Sequence, residues 1–355
     1  MKILFTGGGT AGHVTPNIAL IENLRAAGWD IVYVGSADGI ERQIMDRINV
    51  RYHAIATGKL RRYFDWRNFV DPLRIVIGFL QSLVICVRER PDVVFSKGGF
   101  VAVPVIFAAW VARIPAIGHE SDVTPGLANK LCFPLLKKIC VNFAVTRRYL
   151  PEGKVVVTGT PVRENLLGGR SDEGRRALGL DDGKPVLLVF GGSLGAVSIN
   201  RQIRDVLDQL IAKFQVVHVV GEGNLDSSLE KIGGYRQQEF LFEEFGDVLA
   251  AADVIIARAG ANSLYELLVT RKPHILIPLS SSVSRGDQLD NARTFTGQGF
   301  SRMLEESELD NEKFLNLVDS VYDERAAITR KLAEFEVIDS VAVITDLIKA
   351  VSKGT

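Results

Sequence analysis

The most constraining feature of this chain is a pattern that occurs twice: a short apolar run, a glycine-rich loop, then a helix start. The first copy is "KILFT" followed by "GGGTAGHVTP"; the second is "KPVLLVF" followed by "GGSLGA". An apolar run this short and unbroken reads as a strand buried on both faces, as in a parallel sheet covered by helices. Further runs of the same kind follow each copy: "DIVYVG", "PDVVFS" and "IPAIGHE" after the first, "FQVVHVVG", "ADVIIARAG" and "KPHILIPL" after the second. The expectation is an α/β protein made of two doubly wound parallel-sheet domains. The 355 residues exceed what one ordinary core accommodates. The join is expected in "TGTPVRENLLGGRSDEG", so the domains are drawn as 1–160 and 161–337. A helical stretch from about Asn311 to Ala350 is read as crossing back, so that about 338–355 packs on the first domain.

Composition narrows the partners. Lys plus Arg and Asp plus Glu are 42 each, so no overall field draws the chain to nucleic acid. Three cysteines without ligand spacing suit buried thiols in a reducing compartment. The strand-like start, without basic and apolar leader regions, leads us to expect no signal peptide and a cytoplasmic location. No D-x-D occurs and the five histidines are scattered, so neither a metal nor another cofactor is expected.

Gly7, Gly9 and Gly12 have the spacing of a dinucleotide-binding turn. A Rossmann site also wants an acid at the end of the second strand; here that strand ends in Val34-Gly35-Ser36, and the nearest acid read there is Asp38. Without its partner the glycine motif points to a phosphate or pyrophosphate rather than NAD, because backbone N–H groups and a helix start hold an anion unaided. His13, at the end of this loop, is either an ordinary helix-start polar residue or a group that exchanges a proton near neutral pH. In the second half, "ARAGANSLYELL" brings a small-residue loop to a helix start. There Asn262 or Ser263 is a possible cap with Glu266 completing a capping box, or Glu266 chelates two ribose hydroxyls. Gln288, in "SRGDQLDNA", suits sugar hydroxyls and equally suits a surface helix. Arg163 and Arg258 are the cations considered for phosphate. Together these loops describe a metal-independent, nucleotide-sugar-using enzyme.

Taken in order, "GGGTAGHVTPNIAL", "SKGGFVAVP", "HESDVTPGLANK", "TGTPVR", "FGGSLGA", "ARAGANSLYE" and "DQLDNA" resemble the MurG family, the N-acetylglucosaminyltransferases that form lipid II in bacterial peptidoglycan synthesis. The resemblance runs essentially the whole length. It implies a GT-B fold, two Rossmann-like domains facing across a cleft. The implied reaction is transfer of GlcNAc from UDP-GlcNAc to the C4 hydroxyl of MurNAc in lipid I, undecaprenyl-pyrophosphoryl-MurNAc-pentapeptide, giving a β-1,4 link with inversion. Carried over residue by residue, the donor contacts are Thr10, Ala11, Gly12, Asp122, Arg163, Ser193, Phe242 (through its backbone), Ala261, Asn262, Ser263, Leu264, Tyr265, Glu266 and Gln288. The acceptor pyrophosphate falls to Gly8, Gly9, Thr10, Gly12 and His13. His13, Glu120 and Asp122 share candidacy for the base.

Two departures stand out. Ala11 replaces a glycine in the family's G-G-T-G-G-H, which is harmless unless the position needs positive φ. The family's H-E-Q-N reads His119-Glu120-Ser121-Asp122, an acid where an amide meets the transferred sugar. A membrane-embedded acceptor requires docking on the anionic inner leaflet at the cytoplasmic face. The segment 58–90 is its candidate, with Lys59, Arg61, Arg62, Trp66, Arg67 and Phe69 beside an apolar helix, Leu73 to Val87. A cell-wall synthesis complex is a possible further partner. Three alternatives share parts of the pattern: a UDP-GlcNAc 2-epimerase, a transferase acting on a soluble acceptor, and a non-catalytic nucleotide-sugar sensor.

Overall fold

The computed structural model describes residues 1–58, 67–162, 164–180, 183–192, 195–281 and 284–353, and of Ala11, Glu164 and 67–70 the backbone only. It divides into two compact units, Met1–Val162 with Ile338–Thr355, and Arg163–Val337.

Unit 1 is built on seven strands, β1 (Lys2–Thr6), β2 (Asp30–Ser36), β3 (Arg51–Ile55), β4 (Val93–Ser96), β5 (Ala116–Glu120), β6 (Lys138–Val141) and β7 (Val155–Val157). They lie in the order β3-β2-β1-β4-β5-β6-β7, every pair parallel. Unit 2 holds β8 (Val186–Phe190), β9 (Gln215–Val219), β10 (Tyr235–Gln238), β11 (Val254–Ala257), β12 (His274–Leu276) and β13 (Arg302–Met303). Its order is β10-β9-β8-β11-β12-β13, again all parallel. Each sheet reverses direction of growth next to its first strand, between β1 and β4 and between β8 and β11. Ligands of open α/β sheets sit outside the carboxyl ends of the strands at such a reversal. The two glycine loops follow β1 and β8, so the fold delivers both to those positions.

The central strands are buried along their length: Ile3, Leu4 and Phe5 in β1, Val186, Leu187, Leu188 and Val189 in β8. That burial on two faces is why they read as continuous apolar runs instead of alternating ones. The expected single terminal helix is two, Asn311–Leu332 and Ser340–Ser352. The second begins at the Asp339 cap, whose side chain accepts from Ala342 N. Ile344 and Ile348 enter the unit 1 core beside Leu20, Ile21 and Leu24, and Thr345 Oγ1 donates to Asn23 Oδ1 at 3.2 Å.

Two histidines are locked into the core of unit 2. His218 on β9 contacts the Tyr235 hydroxyl (2.8 Å) and Asn200 Oδ1 (3.0 Å). His274 on β12 donates from Nδ1 to the Lys272 carbonyl (2.6 Å) and meets Ser301 Oγ at 2.7 Å. Desolvation pushes them down to about 3 and about 4 respectively, helped at His218 by Arg204. Folded values below the unfolded ~6.5 mean that the unfolded chain binds protons first as pH falls, so stability is lost in that direction. By pH 5 the two together remove about 4 kcal/mol. The expected result is an apparent Tm roughly 10 °C lower at pH 5 than at pH 7.5; a flat Tm across that interval would contradict this role.

Candidate active-site loops

In unit 1 the loops after the neighbouring strands β1 and β4 pack backbone against backbone. Gly99 has φ +85°, and a Cβ there would lie 2.3 Å from the Gly8 carbonyl; one on Gly9, at φ +90°, would strike the Phe100 ring. Only glycine permits this approach. Behind the loop, the Tyr33 hydroxyl donates to the Gly7 carbonyl at 2.7 Å. The Glu41 carboxylate, fully buried, accepts from Ser36 N at 3.0 Å, from Ser36 Oγ and from Gly9 N at 3.4 Å. Sequence reasoning missed Glu41, having sought an acid no further along than Asp38. It lies five residues past the strand and is folded back by the Ile40–Arg47 helix. An internal carboxylate thus spends its acceptors on the chain's own β2 end and loop, where a dinucleotide turn would present its acid to a ribose.

Ala11 begins a single 3-10 turn, Ala11–His13, a right-handed conformation that alanine adopts without strain. The condition under which the family's glycine would be required is therefore not met. After that turn the Thr15–Ala26 helix starts with no side-chain cap and Pro16 in its first turn, and Asn17 N donates to the Val14 carbonyl at 2.9 Å. The half-buried His13 ring lies with Nδ1 3.1 Å from the Lys97 carbonyl. A carbonyl only accepts, so Nδ1 carries the hydrogen and Nε2 the basic lone pair.

The His119–Asp122 segment follows β5. Glu120 is 2% exposed. Its Oε1 accepts from Asp122 N (3.1 Å), and its Oε2 from Gly126 N (3.0 Å) and Asn129 Nδ2 (2.8 Å). With its two oxygens accepting these three hydrogen bonds from the chain, its evident work is shaping the loop 120–129. Asp122 is half-buried beside it.

In unit 2 two helices begin at the carboxyl ends of adjacent strands. The Val197–Asp205 helix, after β8, has Ala196 at its N-cap, and the Ala261–Val269 helix, after β11, has Gly260; neither has a side-chain cap. The capping-box reading is therefore overturned. The helix starts earlier than expected, so Asn262 and Ser263 lie within its first turn and Glu266 on the next. Asn262, Ser263 and Glu266 are half-buried, whereas Leu264 and Tyr265 point into the core, at 0% and 1% exposed. Gln288, in the Asp287–Gly297 helix, accepts from Leu279 N at 3.0 Å through Oε1. Phe242 lies exposed in the loop after β10, its carbonyl accepting from Phe245 N. Arg258 is committed internally. It donates to the Ile277 and Pro278 carbonyls, to Ser198 Oγ (3.0 Å) and to Glu306 (2.7 Å), tying one uncapped helix start to the loop after β12. Arg163 and Ser193 fall outside the described residues.

The helix read as a membrane element, Arg67–Glu89, turns an unusual face outward. Gly78, Ser82 and Cys86 are buried, and Phe79 and Leu83 pack on the core. Leu73, Val76, Ile77, Leu80, Val84 and Val87 are exposed, as are Phe107, Trp110 and Val111 of the Ala102–Val111 helix. A contiguous apolar stripe of this kind is what interaction surfaces expose and ordinary solvated helices do not. Lys59, Arg61, Arg62 and Trp66 lie outside the described residues, while Arg67 and Phe69 belong to the helix's first turn, of whose side chains nothing is described. Among the described residues, no helix is long and apolar enough to cross a membrane.

Residues 3–141 match the glycosyltransferase family 28 N-terminal domain and residues 186–345 its C-terminal domain. With two Rossmann-like units and their loops at the sheet reversals, the fold defines the class, a two-domain glycosyltransferase of the GT-B kind. The chain is 50% identical, over 98% of its length and 96% of the relative's, to the UDP-N-acetylglucosamine–N-acetylmuramyl-(pentapeptide) pyrophosphoryl-undecaprenol N-acetylglucosamine transferase of Legionella pneumophila strain Paris. It is 47% identical, over 99% of both, to that of Clostridium botulinum strain Langeland. It therefore belongs to the family of these transferases. Among solved structures, the MurG of Acinetobacter baumannii superposes with TM-score 0.79 at 23% identity, covering 98% of this chain and 99% of that one. The UDP-GlcNAc 2-epimerase of Methanocaldococcus jannaschii superposes at 0.63 and 14%, covering 99% and 100%. At such identities both speak to the fold alone, and a fold shared by a transferase and an epimerase does not choose between them.

Proposed function

We infer that this chain transfers GlcNAc from UDP-GlcNAc to the C4 hydroxyl of MurNAc in lipid I, forming lipid II for peptidoglycan synthesis. The observation that carries the reading is the family likeness, 50% identity running across both units, so that donor and acceptor loops are included together. Inversion at the anomeric carbon needs one in-line displacement: a base removes the acceptor proton while UDP departs with its charge stabilised. We assign the base to His13, whose Nε2 holds the lone pair, and Glu120 to shaping the loop that presents Asp122. The acceptor diphosphate is assigned to the N–H groups of Gly8, Gly9, Thr10 and Gly12.

On the donor side, the uncapped helix starts at 197 and 261 supply N–H groups and partial positive charge to the departing diphosphate. Asn262, Ser263 and Glu266 lie half-buried on the first two turns of the second of these helices, and we assign Glu266 to the ribose and Gln288 to the sugar. Leu264 and Tyr265 support the helix from the core. This arrangement supports a reaction that proceeds without a metal ion. The exposed stripe of the Arg67–Glu89 helix supports peripheral attachment to an anionic membrane surface at the cytoplasmic face, where the acceptor's lipid resides.

The test is UDP release from UDP-GlcNAc, with and without a lipid I analogue, in EDTA. Release should require the acceptor and be unchanged by the chelator. Glu266→Ala should raise the KM for UDP-GlcNAc by about tenfold or more, as loss of hydrogen bonds to a charged group does, leaving the acceptor KM unaltered. Release without acceptor would overturn the transferase reading; loss in EDTA restored by a divalent cation would overturn the metal-free step.

A further inference from the structure

Lys97 follows β4 at the sheet reversal of unit 1 and is 1% exposed. Its Nζ meets His119 Nδ1 at 2.8 Å, Ser121 Oγ at 2.7 Å and Thr160 Oγ1 at 3.1 Å. An ammonium has three donors and no acceptor, and three acceptors surround this one. The geometry also sets the histidine: Nδ1 accepts from Lys97, so Nε2 carries the hydrogen that it donates to the Gly159 carbonyl at 2.9 Å. The same lysine's carbonyl holds the His13 ring. One residue thus touches the loops that follow β1, β5 and β7 as well as its own.

We propose that Lys97 is a positioning residue for the acceptor: its ammonium locks His119 and Ser121 and places a buried positive charge at the reversal where the acceptor diphosphate binds. This rests on the reading of unit 1 as the acceptor half. A full charge is costly to bury and is retained where something repays it. The titratable groups packed about it are His119, Glu120 and Asp122 on the β5 side, Cys140 on β6 and His13 on the β1 side. Burial, opposed by Glu120 and Asp122, brings the lysine down to about 7, and burial beside that ammonium keeps His119 well below its usual value and neutral. The charge is therefore lost as pH rises through neutrality, and a bound anion favours keeping it.

Steady-state kinetics of the full chain across the neutral range decide the matter, with UDP-GlcNAc and a lipid I analogue each varied. In the wild type, kcat/KM for the acceptor should fall as pH rises through about 7. Lys97→Met should raise the acceptor KM about tenfold, abolish that alkaline fall and leave the donor KM unchanged. Thr160→Val, which removes one acceptor at nearly constant volume, should move the alkaline fall to lower pH, and it decides the question if Lys97→Met does not fold. A uniform loss with the alkaline limb intact, or a limb that Thr160→Val does not move, would overturn the proposal. Absence of any lipid I-dependent turnover in the wild type would instead overturn the reading beneath it.

Discussion

Replacing His13 with alanine is expected to lower acceptor-dependent UDP release by at least a hundredfold, the usual weight of a positioned general base, with UDP-GlcNAc binding retained. The expectation comes from the ring's setting. Its Nδ1 hydrogen is spent on the Lys97 carbonyl, which fixes the tautomer and orients Nε2 as the basic atom. The loop that carries it is braced from behind by the Glu41 carboxylate and the Tyr33 hydroxyl, so the imidazole stands on a rigid support. Glu120, the rival carboxylate on the neighbouring loop, already accepts three hydrogen bonds. Measured by coupled UDP detection, a fully active His13→Ala enzyme would contradict the assignment and move the base to Asp122.

The second large effect concerns the membrane. Leu80→Asp with Val84→Asp should release the chain from anionic vesicles while sparing turnover of a short-chain, water-soluble acceptor. Leu80 and Val84 are 54% and 50% exposed, so neither substitution opens a cavity. Losing two apolar side chains from the bilayer boundary and adding two negative charges beside anionic headgroups together cost about 4 kcal/mol, roughly a thousandfold in partitioning. Vesicle co-sedimentation reads this directly, and binding equal to wild type would contradict the docking face. The basic and aromatic cluster Arg61, Arg62 and Trp66 provides a second handle, expected to weaken vesicle binding without altering UDP-GlcNAc binding.

The doubly wound architecture was legible because buried parallel strands leave a local signature: continuous apolar runs closed by glycine loops. The glycine loops and His13 were legible for the same reason, since a helix start and its loop are contiguous in sequence. What escaped was non-local. Glu41 reaches the first glycine loop from a different βα unit, and Lys97 gathers His119, Ser121 and Thr160 from strands far apart in the chain; no spacing rule records such meetings. The capping-box reading of Asn262, Ser263 and Glu266 failed by a small shift in the helix start, which Gly260 sets and side-chain preferences do not reveal. In the Arg67–Glu89 helix, sequence alone did not tell which side chains face the core. Leucine, isoleucine and valine at helical spacing ordinarily mark a core face, but here Gly78, Ser82 and Cys86 take the core and the larger side chains face outward. The small residues between the apolar ones were the available clue.

Product identity is the most direct test of the sugar transfer itself. Radiolabelled UDP-GlcNAc is incubated with the full chain and lipid I, and the lipid-soluble fraction is analysed after mild acid release. One new labelled lipid is expected, formed only when lipid I is present and in equal amount to the UDP released. Its head group should be GlcNAc joined β-1,4 to MurNAc-pentapeptide. Label remaining wholly in water-soluble products, as free sugar or an epimerised nucleotide sugar, would contradict it.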